Sequence, residues 1–184
     1  MKAIFLDRDG TINVDVNYLC RKSDIKIIDG AKEALKTFKD LGFLNIIVTN
    51  QSAVARGMIT LQQLGEIHNE FDLQLMSGDL HLIDDIFYSP YHPDGIIDEF
   101  SILHPDTKPD TGMLLKAREK YSLDFSKCYM IGDKPRDIET GNRAGIKSIL
   151  VGTESLEECG SQNLIIEYAA KDLLDASRYI SQSK

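Results

Sequence analysis

The feature that most constrains this chain is the alternation of short apolar runs with longer segments whose apolar residues recur at helical spacing. The clearest runs, residues 2–6, 45–48 and 128–131, each end at charged, polar or glycine residues. Short continuous apolar runs are typical of strands buried on both faces. Strands that alternate with helices indicate a parallel sheet covered by helices on both sides. We therefore predict an α/β fold with a three-layer, Rossmann-like parallel sheet.

The predicted elements succeed one another along the whole chain. Strands are predicted at residues 2–6, 45–48, 85–88, 128–131 and 148–151, with a weaker one at 164–166. Helices are predicted at about 30–41, 60–76, 111–121 and 136–144, and in the tail through Leu173, Leu174 and Tyr179. Thr60 and Gln63 form a capping-box pattern at the start of the second helix. The segment 89–109, rich in His, Pro, Asp and Gly, is predicted to be a long loop, which is usually functional or disordered.

Size, charge and cysteine content exclude several classes of protein. At 184 residues we expect a single domain over 1–184, and the formal net charge of −8 argues against a nucleic-acid partner. No apolar run approaches a membrane span, and no signal-peptide pattern follows Met1. Three cysteines far apart in the sequence suit a reducing compartment. We expect a cytoplasmic monomer with no membrane partner.

Acidic and polar residues follow the predicted strands, where ligands bind in open α/β sheets. Asp7 and Asp9 follow the first strand, Thr49 the second and Asp133 the fourth. Two carboxylates so close repel each other unless a cation lies between them or one holds a proton. Asp7 and Asp133 are suitable oxygen ligands for Mg²⁺, which leaves Asp9 to transfer a proton. A solvated turn is the alternative for residues 7–11, but the combination of strand ends favours a site.

These residues resemble the haloacid dehalogenase-like (HAD-like) phosphatase superfamily. Its four motifs occur here as Asp7-x-Asp9-Gly-Thr11, Thr49, Lys108 and Gly132-Asp133-x-x-x-Asp137. The strings FLDRDGTIN, VTNQSAVARG, KPDTGML and GDKPRD are similar to the branch that contains D-glycero-D-manno-heptose 1,7-bisphosphate phosphatases and histidinol-phosphate phosphatases. The likeness extends from about residue 3 to 150. It implies a HAD-like fold, and the chain has no insertion long enough for a large cap domain.

The resemblance implies a magnesium-dependent phosphoric monoester hydrolase. Asp7 is the implied nucleophile, which forms a transient aspartyl-phosphate, and Asp9 is the implied acid and base. Asp7, Asp133 and the backbone carbonyl of Asp9 are the implied Mg²⁺ ligands, and Thr49 and Lys108 the implied phosphate contacts. Because Lys108 precedes Pro109, we expect it in a loop, whether as a phosphate contact or as a surface lysine.

The implied substrate is a small phosphorylated metabolite. The resemblance favours the 7-phosphate of D-glycero-D-manno-heptose 1,7-bisphosphate, in the carbohydrate metabolism that supplies heptose for lipopolysaccharide. Histidinol phosphate or another small sugar phosphate is the alternative. A non-catalytic binding subunit of the same fold ranks lower, because every motif residue is present.

Further residues are implied to contact the substrate. They are Asp15, Asn17, Tyr18, Asn50, Gln51, Ser52, Thr107 and Lys134. For Asp15, Asn17 and Tyr18, which the resemblance implies to be a short cover over the substrate, an ordinary polar loop is the alternative. Residues 49–51 are equally compatible with a helix-capping turn. For Arg56 a place near the site and an exposed surface position are equally compatible with the sequence.

The chain departs from the heptose branch at two places. Many of its members hold a structural zinc with three Cys and one His, where this chain has Ser89, Tyr91, His104 and Asp106. Serine and tyrosine are poor zinc ligands, so we predict no structural zinc, although His92, His104 and Asp106 are competent metal ligands. Thr107 stands where heptose phosphatases commonly carry an arginine near the second phosphate. Threonine lacks the guanidinium fork, which leaves the exact substrate and its anomer open.

Overall fold

A computed structural model describes residues 1–183 and has a six-stranded parallel sheet at its centre. The strands are β1 (Ala3–Leu6), β2 (Leu44–Asn50), β3 (Asp85–Ser89), β4 (Tyr129–Gly132), β5 (Lys147–Val151) and β6 (Tyr168–Ala170). The helices are α1 (Ala31–Asp40), α2 (Leu61–Leu75), α3 (Gly112–Tyr121), α4 (Pro135–Ala144), α5 (Leu156–Ser161) and α6 (Leu173–Gln182). The strand order is β3-β2-β1-β4-β5-β6, and every neighbouring pair is parallel.

The sheet is buried on both faces because successive residues of β1 enter different cores. Ile4 and Leu6 pack in a core that includes the apolar side chains of α1, α2 and α6, whereas Ala3 and Phe5 pack against α3. All four side chains of β1 are fully buried. This arrangement explains why the strand is a continuous apolar run, and it confirms the predicted three-layer α/β fold.

Most predicted elements occur within a few residues of their expected bounds. The capping box at Thr60 and Gln63 is present, with hydrogen bonds in both directions. The strand predicted at 164–166 is wrong: these residues form a connection, Ile165 is 75% exposed, and β6 begins at Tyr168. The short helix α5 was not predicted. Over residues 1–183, none of the helices combines the length and apolarity that a bilayer crossing requires.

The topology brings the motif residues to one edge of the sheet. From β1 the sheet extends through β2 and β3 on one side, and through β4, β5 and β6 on the other. The order of strands therefore reverses at β1, and ligands bind at such a reversal, beyond the carboxyl ends of the strands. Asp7, Thr49 and Asp133 lie at these ends of β1, β2 and β4.

Candidate active site

Asp7 lies directly after β1 and is held by a buried lysine. Lys108 Nζ lies 2.9 Å from Asp7 Oδ1 and 2.6 Å from Asp137 Oδ1, and all three residues are buried. Burial raises the pKa of Asp7, but the positive charges of Lys108 and Arg136 outweigh it and hold that pKa below its ordinary value. Asp7 is therefore a carboxylate at neutral pH, the form that a nucleophile requires.

Lys108 reaches Asp7 because Asn50 anchors its backbone to the end of β2. The Lys108 N–H donates to Asn50 Oδ1 at 2.9 Å, and Asn50 Nδ2 donates to the Lys108 carbonyl at 3.0 Å. Lys108 lies in a turn before α3, as predicted. Burial lowers the pKa of Lys108, but the carboxylates of Asp137 and Asp7 outweigh it and raise that pKa. The side chain is consequently an ammonium ion between two carboxylates.

Asp133 follows β4 and approaches the turn after β1 very closely. Gly10 in that turn has φ of +83°, and a Cβ atom there would overlap the Asp133 carboxylate, so only glycine fits. Burial raises the pKa of Asp133 to about 6, and the nearby charge of Asp7 adds to this. Asp133 Oδ2 pairs with Lys134 Nζ at 3.0 Å, while Oδ1 is buried without a hydrogen-bond partner among the described residues.

The carboxylates of Asp7, Asp133 and Asp137 form an acidic cluster, with one oxygen of each within 4.8 Å of the others. Both oxygens of Asp137 are engaged, by Lys108 and by the Lys134 N–H at 3.1 Å. Asp7 and Asp133 are therefore the two available ligands. The unpartnered oxygen of Asp133 and its repulsion by Asp7 fit a hard divalent cation between the two groups.

The side chain of Asp9 lies outside the acidic cluster. Its Oδ2 accepts hydrogen bonds from Arg8 Nη2 at 2.7 Å and from Gln51 Nε2 at 3.1 Å. Gln51 Nε2 also donates to Thr49 Oγ1 at 2.9 Å. Because the Asp9 side chain is turned toward Arg8 and Gln51, only its backbone carbonyl remains for the predicted metal contact, which stays a prediction.

A cavity of about 680 Å³ opens over these residues. Most of the predicted site residues line it: Asp7, Asp9, Asp15, Asn17, Tyr18, Thr49, Asn50, Gln51, Ser52, Thr107 and Lys108. The predicted site residues Asp133 and Lys134, which pair with each other at 3.0 Å, are not part of the lining. The roles of all these residues remain predictions.

Three arginines around the site were not placed by the sequence. Arg136, beside Pro135 at the start of α4, lines the cavity, and its charge contributes to the low pKa of Asp7. Arg56 also lines the cavity, with Nη2 3.2 Å from His92 Nε2. Arg8 is completely buried. The position of Arg136 in the string GDKPRD, between the motif residues Asp133 and Asp137, was the available signal for its place at the site.

The residues at the family's zinc positions are engaged with other partners. Ser89 Oγ lies 2.7 Å from Thr107 Oγ1, and the Tyr91 ring stacks on His104 with centroids 3.9 Å apart. Asp106 pairs with Lys116 on α3. Within residues 1–183, the three residues close enough to share a metal ion are those of the acidic cluster. His92, His104 and Asp106 do not form such a group.

The chain is similar to known phosphatases in sequence and in structure. A HAD-hydrolase-like family model matches residues 106–176. The D-glycero-beta-D-manno-heptose-1,7-bisphosphate 7-phosphatase of Escherichia coli (strain K12) is 41% identical over 158 residues, which are 86% of this chain and 80% of that protein. The D-glycero-alpha-D-manno-heptose-1,7-bisphosphate 7-phosphatase of Photorhabdus laumondii is 38% identical, over 90% of this chain and 91% of that protein.

A solved structure has the same fold over its whole length. The D,D-heptose 1,7-bisphosphate phosphatase from B. bronchiseptica, complexed with magnesium and phosphate, superposes with a TM-score of 0.85 at 27% identity and covers 100% of both chains. Fold, motif geometry and sequence identity therefore agree. This chain belongs to the HAD-like phosphatases, in the family of the heptose bisphosphate phosphatases.

Proposed function

We propose that this chain is a magnesium-dependent phosphatase that removes the 7-phosphate from D-glycero-D-manno-heptose 1,7-bisphosphate. The observation that carries the proposal is the buried carboxylate of Asp7, which lines the cavity and is fixed by Lys108 at 2.9 Å. The relatives that share 41% and 38% identity carry that activity in their names. They are named for different anomers, so the preferred anomer is a matter for experiment.

Asp7 is the proposed nucleophile. One of its oxygens attacks phosphorus, the bond to the sugar oxygen breaks, and the phosphoryl group remains on Asp7 until water hydrolyses it. This two-step route replaces one difficult displacement by two easier ones. The ammonium group of Lys108, which contacts Asp7, binds an oxygen of the phosphoryl group as that group is transferred to Asp7. Thr49, buried at the end of β2, donates its hydroxyl to the same group.

Asp9 is the proposed proton-transfer group. It gives a proton to the departing sugar oxygen and later takes one from the attacking water, so its carboxyl group has to face the cavity. Its side chain is 24% exposed and lines that cavity. The Asp9 side chain contacts neither Asp133 nor Lys108, and among residues 1–183 its hydrogen-bond donors are Arg8, Asn13 and Gln51.

Asp7 and Asp133 are the proposed Mg²⁺ ligands, with the backbone carbonyl of Asp9. When bound, the ion would neutralise negative charge on the phosphoryl oxygens during transfer. Asp133 suits this role, because its Oδ1 is buried without a hydrogen-bond partner among residues 1–183 and the carboxylate is repelled by Asp7.

The rest of the cavity is proposed to hold the sugar. Its volume of about 680 Å³ exceeds the needs of a phosphate alone and is ordinary for a small-molecule site. Asn50, Gln51 and Ser52 offer amide and hydroxyl partners for sugar hydroxyls. Arg56 lines the same cavity and is our candidate for the second phosphate, since Thr107 offers no positive charge.

Phosphate release by the purified protein tests the proposal. The panel contains both anomers of the heptose bisphosphate, histidinol phosphate and simple sugar phosphates, each with and without Mg²⁺. We expect the highest kcat/KM for a heptose bisphosphate and no turnover after the ion is removed with EDTA. A preference for histidinol phosphate over both anomers would establish the alternative substrate.

Asp7→Asn tests the nucleophile, because the amide cannot form the phosphorylated intermediate. We expect no detectable turnover, with the fold retained. Asp40→Asn, which removes an exposed carboxylate paired with Lys36 on α1, is the matched control and should keep full activity. Turnover that survives in pure Asp7→Asn protein would refute the covalent mechanism.

A further inference from the structure

We propose that Arg8 is a positioning residue, which fixes the orientation of the Asp9 carboxyl group for proton transfer. This inference rests on the proposed function, in which Asp9 is the acid and base. It assigns a role to the residue between the two aspartates, which the chemistry described so far does not use.

The contacts of Arg8 form a two-point fork on its neighbour. Arg8 Nε donates to Asp9 Oδ1 at 3.2 Å, and Nη2 donates to Asp9 Oδ2 at 2.7 Å. Each oxygen of the carboxylate is thus tied to a different nitrogen of one planar group. Such a pair fixes both the position and the plane of a carboxylate, which a single point charge does not.

Gln51 connects Arg8 to Thr49, the proposed phosphate contact. Arg8 Nη2 also donates to Gln51 Oε1 at 3.0 Å, and this contact orients the amide so that its Nε2 faces Asp9 Oδ2 and Thr49 Oγ1. Arg8 therefore orients Asp9 directly and Thr49 through Gln51. The proton-transfer group and a phosphate contact are held by one network.

The burial of Arg8 is costly unless the residue has a specific task. Its side chain is 0% exposed, Nη1 has no hydrogen-bond partner, and Asp9 is its salt-bridge partner among residues 1–183. Removing a cation from water is costly, and a packed apolar side chain often stabilises such a position better. The arginine therefore contributes geometry for Asp9 more than it contributes stability.

Proton transfer is sensitive to this geometry. A carboxyl group has to come within hydrogen-bond distance of the leaving oxygen, and a displacement of about 1 Å can cost roughly a hundredfold in rate. A lysine at position 8 keeps the charge but makes only one directed contact, so it should hold the carboxylate less precisely.

The test compares two esters that differ in their need for an acid. An alkyl phosphate requires protonation of its leaving oxygen, whereas 4-nitrophenyl phosphate releases a stable anion. The first-turnover rate is measured for the Mg²⁺-loaded wild type, Arg8→Lys, Arg8→Met and Asp9→Asn, so that hydrolysis of the intermediate does not interfere. For both Arg8 variants we expect a drop of roughly 10- to 100-fold with the alkyl ester and a much smaller one with the nitrophenyl ester.

Two controls separate positioning from general damage. Arg143→Lys changes an exposed guanidinium that bridges Asp110 and Glu139, and it should leave both rates unchanged. Arg8→Lys retains the buried charge, so it provides the decisive result if Arg8→Met does not fold. Equal losses on the two esters for Arg8→Lys, or no loss on either, would overturn the role of Arg8.

The outcome also distinguishes this inference from the proposed function. If Asp9→Asn shows the dependence on leaving group and Arg8→Lys does not, the positioning role is refuted while the proposed function stands. If the wild type releases phosphate neither from these esters nor from the substrate panel, the proposed function fails and the inference fails with it.

Discussion

The two regions that border the cavity are held together by different forces. In the first region, the buried ammonium group of Lys108 lies between Asp7, which follows β1, and Asp137 of α4, at distances of 2.9 and 2.6 Å. The second region, the loop 90–107, is more exposed: Ile96 is 74% and Leu103 84% exposed. Its contacts include a stacked ring pair, a hydroxyl hydrogen bond and the pair of Asp106 with the exposed Lys116. A buried charge tolerates little displacement, whereas a stacked ring pair tolerates more.

This difference assigns separate tasks to the two regions. In the proposed mechanism the cluster contains the nucleophile Asp7, which has to be held precisely, and its three aspartates occupy motif positions of the superfamily. The loop departs from the heptose branch at the zinc positions and at Thr107. We therefore expect changes in the cluster to affect both stability and turnover, and changes in the loop to affect mainly the choice of substrate.

The largest effect should follow from removing the buried ammonium group. Lys108→Met leaves Asp7 and Asp137 as neighbouring buried carboxylates without a counter-charge, at an expected cost of about 3–5 kcal/mol in the free energy of unfolding. Urea denaturation at pH 7 measures this change. Lys116→Met, which removes a lysine that is 58% exposed from its pair with Asp106, should cost only about 0–1 kcal/mol. Similar costs for the two variants would remove the contrast between the regions.

Acid should lower the free energy of unfolding through the buried His68 of α2. Burial, together with the charge of Arg8, lowers the pKa of His68 to about 3 from 6.5. The folded state favours the neutral ring, whereas the unfolded chain binds a proton at His68 below pH 6.5. The free energy of unfolding therefore falls as the pH decreases from 6.5 toward 3. Between pH 6.5 and 4.5 the loss should be about 2 kcal/mol, because the slope approaches about 1.4 kcal/mol for each pH unit only well below pH 6.5.

Stability measured against pH for His68→Gln checks this expectation, because glutamine has no proton to gain. The variant should show a shallower decline below pH 6.5 than the wild type. Parallel curves for His68→Gln and wild type would contradict the assigned cause.

A smaller effect should follow from breaking the ring stack in the loop. Tyr91→Leu keeps an apolar side chain but removes the stacking on His104, which should cost about 0.5–1.5 kcal/mol. We expect kcat to change little and KM for the sugar substrate to rise, because Tyr91 lines the cavity without touching the acidic cluster. A fall in kcat with unchanged KM would place the loop in the chemical step.

The smallest effect should come from zinc. Ser89 and Tyr91 are poor ligands, so neither a zinc-specific chelator nor added zinc should change the melting temperature of the protein. Differential scanning fluorimetry measures this directly. A chelator-dependent decrease would show that the loop holds a metal despite its sequence.

The sequence predicted the parts of the fold that depend on local periodicity. The alternation of strands and helices, and the cap at Thr60, follow from spacing and side-chain chemistry alone. The strand at 164–166 was wrong because Leu164, Ile165 and Ile166 form an apolar run whose middle residue faces solvent. An apolar triplet carries no information about the neighbour with which it has to pair.

The candidate site was predicted unevenly for a similar reason. Residues at strand ends were placed correctly, because parallel strands bring their carboxyl ends to one edge. Arg8 was missed because arginine is rarely buried, and a residue between two aspartates in a turn is ordinarily solvated. The contact of Arg56 with His92 depends on two segments 36 positions apart, which no local pattern connects.

The central position of β1 has a consequence for synthesis on the ribosome. The strand is translated before both of its neighbours, and β4, which covers its second edge, ends only at Gly132. A nascent chain that has emerged only as far as β3 therefore leaves that edge open, on a strand that is apolar on both sides, and such an edge is a template for aggregation. Chaperone capture should be strongest over that interval of translation.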